Sequence, residues 1–211
     1  MRKPLDGKDG KYDHYFPYEI ADPGNWTVRK SSDRVEFTQT VSASDGYAYE
    51  YHKTVSLVAG APDMIIQHVL KNRGSKALES SVYDHNFLAI DHQPPGPPLH
   101  VLFPFDIKAA RSMAGLAEVS GHEIRYIKTL AGNERAATGI TGFGNSAKDY
   151  DITVENRATG AGVRINGDRP LERFAYWSVE SVAAPEPFIH VRVEPGQEFR
   201  WSMHYHFYAL H

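Results

Sequence analysis

The chain has 211 residues, a formal charge of −3 at pH 7 and no cysteine, a length that fits one domain better than two. Hydrophobic residues make up 41% of the chain, which is enough to form a core. The charged fraction of 23% is ordinary for a soluble protein and argues against intrinsic disorder. The slight negative charge disfavours nucleic acid as a partner, and the lack of cysteine excludes disulfides, thiolate catalysis and cysteine-ligated zinc.

The N-terminal residues 1–15 are charged and are not followed by an apolar stretch, and no run elsewhere is apolar enough to cross a bilayer. The sequence therefore predicts neither a signal peptide nor a membrane partner. The expected location is cytoplasmic by default, or secreted or periplasmic if a leader has been removed.

Alternating apolar and polar residues predict strands through most of the chain. The clearest segments are residues 47–57, 188–193 and 198–210, each with apolar side chains on one face. Glu194-Pro195-Gly196-Gln197 separates the last two and predicts a tight hairpin between them.

Helical periodicity is found only in residues 105–121, where Ile107, Ala110, Met113 and Leu116 would share a face; a loop with a short helix fits equally well. About a dozen strands joined by short turns favour an all-β fold. The predicted architecture is one domain over residues 1–211, a large antiparallel β-sandwich with at most one or two short helices.

Three of the 11 histidines suggest a metal site. His204 and His206 project from one face of a strand, and His190 lies on the strand predicted to be its hairpin neighbour, so three imidazoles could converge on zinc or another divalent ion. This pattern suggests a cupin-like metal-binding sandwich, although the spaced Glu and Gly residues that accompany such sites in cupins are absent. The favoured alternative is that these three histidines are ordinary polar residues on the outer face of a sheet and bind no metal.

A fourth histidine, His85, follows a predicted strand and precedes an apolar aromatic run. Imidazole titrates near neutral pH and is the usual proton carrier in proteins. Asp84 or Asn86 could fix its tautomer. An isolated Asp-His pair is nevertheless more often structural than catalytic.

The segment around this histidine, residues 83–88 (YDHNFL), resembles the Asn-His-x-Tyr-Phe-Asn-Leu motif of aldose 1-epimerases, the galactose mutarotase-like proteins. Residues 70–74 (LKNRG) resemble the strand end that precedes this motif in the family. Residues 185–189 (PEPFI) and 193–199 (VEPGQEF) resemble the closing section with its catalytic glutamate. The similarity runs in order through residues 33–210, although each motif alone is weak.

The resemblance implies an antiparallel β-supersandwich that binds a monosaccharide and interconverts its anomers, without a metal or organic cofactor. His85 would be the general acid, and Glu186, or alternatively Glu180, the general base. Substrate contacts would come from residues around this pair: Asp84, Asn86, Arg164, Trp177 and His190. The structural alternative is core packing for Trp177 and exposure to water for Arg164.

The sequence also departs from the family pattern. The upstream His-Gly-Gly segment and an arginine near the sugar are not found at matching places, and His14 lies in the right region without the glycines. The hypothesis is therefore an isomerase of this type or a divergent relative of unknown sugar specificity. Its alternatives are a catalytically inactive carbohydrate-binding protein on the same fold and the cupin-like metal protein. A homodimer is compatible with each.

Overall fold

Two antiparallel sheets contain all the strands of the computed structural model, which describes residues 16–20, 22–43 and 45–210. The larger sheet has ten strands in the order β1-β2-β3-β4-β15-β12-β11-β6-β9-β8. These strands are β1 (Asn25–Lys30), β2 (Arg34–Ser42), β3 (Ala48–Leu57), β4 (Asp63–Asn72), β6 (Leu99–Leu102), β8 (Ala117–Ser120), β9 (Glu123–Tyr126), β11 (Asp151–Asn156), β12 (Ala161–Gly167) and β15 (Glu198–Ala209).

The smaller sheet has five strands in the order β5-β14-β13-β10-β7. They are β5 (Leu78–Tyr83), β7 (Lys108–Ala109), β10 (Ala136–Thr141), β13 (Arg173–Val179) and β14 (Val182–Val193). Within the described ranges the only helical elements are two 3₁₀ turns, Ile90–His92 and Ala147–Asp149. The predicted antiparallel β-sandwich with at most one or two short helices is therefore confirmed.

The core lies between the two sheets. Buried and less buried residues alternate along β11 and β13, as expected when one face of a strand is covered and the other is not. Ile152 and Ile165 of the ten-stranded sheet and Phe174 and Tyr176 of the five-stranded sheet are at most 1% exposed. The opposite face of the five-stranded sheet is thereby left for polar and aromatic side chains.

The hairpin predicted at residues 194–197 is wrong, because β14 and β15 belong to different sheets. The residues do form a turn, in which Gly196 has a φ of +76° and the Gln197 N–H donates to the Glu194 carbonyl at 3.0 Å. However, the turn carries the chain from one sheet to the other. The buried Asn72, at the end of β4, fixes this crossing by donating its side-chain amide to the Val193 carbonyl at 2.8 Å.

The helix considered over residues 105–121 does not form, and this segment contains β7, β8 and loops. Ile107 and Met113 are 4% and 3% exposed, so each is anchored in the core without a helix. Ala114 and Gly115 have φ values of +55° and +75°, which no right-handed helix can include. Among the residues described, no helix is long and apolar enough to span a bilayer.

Candidate functional site

Two prolines in β14 interrupt its pairing with β5 and create the local structure of the site. Regular pairing ends where Tyr83 lies opposite Phe188. Proline has no backbone N–H, so neither Pro185 nor Pro187 can donate to the neighbouring strand. The chain after Tyr83 therefore runs beside β14 without a continuous ladder.

Asn86 bridges this interruption. Its side-chain amide donates to the Pro185 carbonyl at 2.9 Å, and its Oδ1 accepts a hydrogen bond from the Tyr205 hydroxyl at 2.7 Å. The residue is only 8% exposed. A further pair of backbone hydrogen bonds, between Leu88 and Ala183, resumes the original register two residues later. The Asn86 amide, predicted to contact substrate, is thus engaged within the protein and positions the segment that carries His85.

We expect Asn86→Ala to lower the free energy of unfolding by about 2–4 kcal/mol, because it leaves a buried carbonyl and a buried hydroxyl without partners. Urea unfolding curves measure this change. Asn25→Ala is the matched control, because Asn25 lies exposed on β1, and it should stay within about 0.5 kcal/mol of the wild type. Equal stability of the two variants would contradict the positioning role.

The structure places His85 and Glu186 in direct contact on the outer face of the five-stranded sheet. His85 Nε2 lies 3.2 Å from Glu186 Oε1, and the two side chains are 36% and 12% exposed. The contact follows from the register, because residue pairs that lie directly opposite in antiparallel strands project from the same face. An imidazole and a carboxylate therefore meet where a solute can reach both.

Aromatic rings form a wall beside this pair. The Phe87 ring stacks on the His85 ring with centroids 4.0 Å apart, and Trp177 approaches His85 edge-on at 5.9 Å. Trp177 is partly buried and lies on the outer side of β13, opposite Ala184. Its position thus favours a surface role over the alternative of core packing.

Small residues border Glu186 on the neighbouring strands. Ala175 lies opposite Glu186, and Gly139 lies opposite Ala175 one strand further along. No large side chain projects from either position, so we expect a shallow hollow in the sheet surface next to the carboxylate. We call the surface formed by His85, Glu186, Ala175, Gly139 and Trp177 the open-face site.

Arg173 is a residue at this site that the sequence did not suggest. Its guanidinium carbon lies 3.7 Å from the centroid of the Phe188 ring, whose other neighbour is Tyr83, with ring centroids 4.2 Å apart. Arg173 pairs with Phe188 two positions from the Ala175–Glu186 pair and so lies on the same face. No local pattern identifies it, because its relation to Glu186 depends on the pairing of β13 with β14.

Two other predicted residues lie elsewhere. Glu180 is exposed at the turn between β13 and β14, where it accepts a hydrogen bond from the Gly132 N–H at 3.1 Å. It is separated from Glu186 by most of the hairpin arm, roughly 13 Å at the usual rise per residue. Arg164 lies on β12 of the ten-stranded sheet and donates to Asp151 at 2.8 Å. Neither residue is part of the open-face site.

The three histidines considered as metal ligands do not converge on one point. His204 and His206 contact the same oxygen of Asp63 at 3.0 and 2.7 Å, whereas His190 lies on β14 in the other sheet, 3.4 Å from Glu79. Within the described ranges no group of three or more His, Asp or Glu side chains is arranged to hold a metal ion. His190 is four residues from Glu186 along the same strand face, which places it beyond the rim of the open-face site.

Asp84 points away from its neighbour His85. Successive side chains of an extended chain alternate in direction, and Asp84 lines a cavity between the sheets together with Lys53 and His68. Burial raises the pKa of the Asp84 carboxyl, and the charge of Lys53 partly opposes this shift. Glu186, and not Asp84, is therefore the carboxylate that contacts the imidazole of His85. His14 lies outside the described residues.

Among known proteins, only solved structures match this chain, and they match its fold. No protein-family model and no curated protein sequence matches the chain. Among solved structures, a proposed aldose 1-epimerase from Klebsiella pneumoniae is 14% identical, with a TM-score of 0.62 over 85% of this chain. The match covers 52% of the Klebsiella protein, so the chain spans about half the length of that relative.

Two further structures match at similar levels. A galactose mutarotase related enzyme from Lactobacillus acidophilus is 12% identical, with a TM-score of 0.61 over 88% of this chain and 72% of its own. A GalM/aldose epimerase homologue from C. elegans is 13% identical, also with a TM-score of 0.61, over 88% of this chain and 69% of its own. The chain therefore has the β-sandwich fold of the galactose mutarotase-like proteins.

Proposed function

We propose that the protein is an aldose 1-epimerase-like isomerase that interconverts the anomers of a monosaccharide at the open-face site. The observation that carries this proposal is the contact of His85 Nε2 with Glu186 Oε1 at 3.2 Å on a solvent-accessible sheet surface. The solved mutarotase-like structures support the fold of such an enzyme, and the residues of the open-face site supply the chemistry.

The reaction needs a proton donor and a proton acceptor on opposite sides of the sugar. An imidazole N–H donates and a carboxylate accepts, so one group of the pair is an acid and the other a base. A pyranose entering the hollow would replace the direct contact and take its place between the two side chains. Its ring oxygen would then face His85 and its anomeric hydroxyl would face Glu186.

The reaction moves one proton at each end of the sugar. Glu186 removes the proton of the anomeric hydroxyl as the bond between the anomeric carbon and the ring oxygen breaks, and His85 protonates the released ring oxygen. The resulting aldehyde rotates about its bond to the next carbon. Reclosure on the other face, with both protons returned, gives the opposite anomer without net consumption of acid or base.

The surrounding residues have roles in binding the sugar. Trp177 and Phe87 present apolar ring surface on which the C–H groups of a pyranose can pack. Arg173, held against Phe188 by its cation–π contact, lies within reach of a sugar hydroxyl on the same face. The proposed ligand is thus a single neutral sugar ring, which would lie over the alanine and glycine next to Glu186.

Exchange NMR tests the proposal directly. With α- and β-glucose or galactose in solution, addition of the protein should raise the rate of magnetisation transfer between the two anomeric signals above the rate in buffer alone. Binding of the sugar without faster exchange would instead support the inactive carbohydrate-binding alternative. If neither binding nor exchange occurs with either sugar or with other common aldoses, the proposal is wrong.

A further inference from the structure

A cavity of ≈ 250 Å³ lies between the two sheets, where the end of β5 faces strands β3, β4 and β15. Lys53 and His68 line it from the ten-stranded sheet, and Asp84 lines it from the other side. At about 30 Å³ per water molecule, this volume is large enough for a small organic molecule of several heavy atoms. The cavity does not include His85 or Glu186, so it is distinct from the open-face site.

His68, which lines the cavity, also carries an unpartnered polar atom. The residue is 4% exposed, its ring stacks on Trp201 with centroids 4.6 Å apart, and its Nδ1 is hydrogen-bonded to the Tyr51 hydroxyl at 2.5 Å. Its Nε2, however, is buried and finds no hydrogen-bond partner among the described residues. Leaving such an atom without a partner costs stability.

Lys53 and Asp84 add two charged groups with unused hydrogen-bonding capacity. Both line the same cavity, and Lys53 interacts electrostatically with Asp84. Yet within the described part of the chain neither side chain makes a direct hydrogen bond or an ion pair within 4.0 Å. Opposite charges that face one space without touching leave room for a molecule that bridges them.

We propose that this cavity binds a small neutral polyol. A hydroxyl group both donates and accepts, so neighbouring hydroxyls can donate to Asp84 and accept from Lys53 at the same time. The charges of Lys53 and Asp84 cancel, so an ionic ligand would bring a charge into a buried site without compensation.

Apolar contacts in the cavity suit the same class of ligand. Trp201 and Tyr51 line the cavity beside the polar groups, and aromatic side chains pack well against the C–H groups of a polyol carbon chain. The proposal does not depend on the proposed isomerase activity, because none of these residues belongs to the open-face site.

Titration with erythritol, followed by NMR of ¹⁵N-labelled protein, tests the proposal. Erythritol has no anomeric carbon, so its binding is independent of any anomer exchange. Saturable shifts of the His68 ring nitrogens and of the Trp201 indole signal are expected, with a dissociation constant on the order of 1 mM for a ligand of this size. Lys53→Met should weaken binding at least about tenfold. Lys108→Met, the same change at an exposed position on β7, should leave it unchanged.

Three results would overturn the proposal. The first is the absence of saturable shifts of His68 and Trp201 up to molar erythritol. The second is equal affinity of the Lys53→Met and Lys108→Met variants, which would place the ligand elsewhere. The third is preferential binding of acetate or glycine over erythritol, which would mean that the cavity selects an ion or a zwitterion. Anomer exchange by the same preparations reports separately on the open-face site.

Discussion

Glu186→Gln is expected to lower the rate of protein-catalysed anomer exchange by at least about a hundredfold, the usual effect of removing a positioned general base. Glutamine keeps the size of the side chain and can still accept a hydrogen bond from His85, but its amide cannot take the proton of an anomeric hydroxyl. The Glu186 side chain is 12% exposed. The substitution replaces this partly shielded carboxylate with a neutral polar group of the same size, so the fold should stay intact. Magnetisation-transfer NMR on glucose or galactose measures the loss.

Glu180→Gln provides the comparison that identifies the base. The resemblance to aldose 1-epimerases leaves either glutamate possible, whereas the structure places only Glu186 beside His85. Exchange by the Glu180→Gln protein should therefore stay within about twofold of the wild type. The reverse outcome, a large loss with Glu180→Gln and none with Glu186→Gln, would contradict the assignment of Glu186.

His85→Gln should cause a loss similar to that of Glu186→Gln, since the ring oxygen then lacks a proton donor. In the proposed mechanism the two residues act on one substrate in one step, so the double variant should be little worse than either single variant. Simple multiplication of the two losses would indicate that the side chains act independently, which their contact at 3.2 Å makes unexpected.

Local patterns predicted the strands well because alternation of apolar residues reports directly on a half-buried face. Residues 198–210 illustrate this, as Trp201, Met203 and Tyr205 are all buried as the alternation requires. The sequence also predicts the turn at residues 194–197, but it does not predict which sheet the strand after the turn joins. Glycine and proline mark a change of direction without specifying which sheet the chain enters next, and here the buried Asn72 determines it.

The candidate site was predictable only in part, because local sequence patterns do not specify which distant strands pair. The motif resemblance identifies His85 and Glu186, but their contact depends on the register of β5 and β14, which are far apart in the sequence. Arg173 has no local sequence signature, because its partner Phe188 lies on another strand. The grouping of His190 with His204 and His206 requires a hairpin at residues 194–197, and the crossing of the chain between the two sheets at that turn separates them.

Acidification from pH 6.5 to pH 4 is expected to lower the free energy of unfolding by about 2–3 kcal/mol through His68 alone. Burial, assisted by the charge of Lys53 and opposed by that of Asp168, lowers the pKa of His68 from 6.5 to about 4. Between these values the unfolded chain binds a proton that the folded chain does not. The stability conferred by the neutral ring is therefore complete above pH 6.5 and is lost as the pH falls.

Asp84 acts in the opposite direction over part of this range. Its pKa is raised above 3.8 by burial, so the folded protein binds a proton there more readily than the unfolded chain and becomes relatively more stable as the pH falls toward 3.8. Urea unfolding of the wild type, Asp84→Asn and His68→Gln between pH 7 and pH 4 separates the two contributions. Asp84→Asn should steepen the loss of stability on acidification, whereas His68→Gln should flatten it.

The direct readout is the titration of the His68 ring nitrogens by NMR, which should show protonation only near pH 4. His52 is the natural comparison, because its ring bonds Glu50 at 2.8 Å near the surface and not in the cavity. His52→Gln should therefore leave the slope of stability against pH between 6.5 and 4 closer to that of the wild type than His68→Gln does. If His68 protonates near pH 6.5 while the protein stays folded, the buried and neutral state of this imidazole is refuted, and with it the steep acid sensitivity.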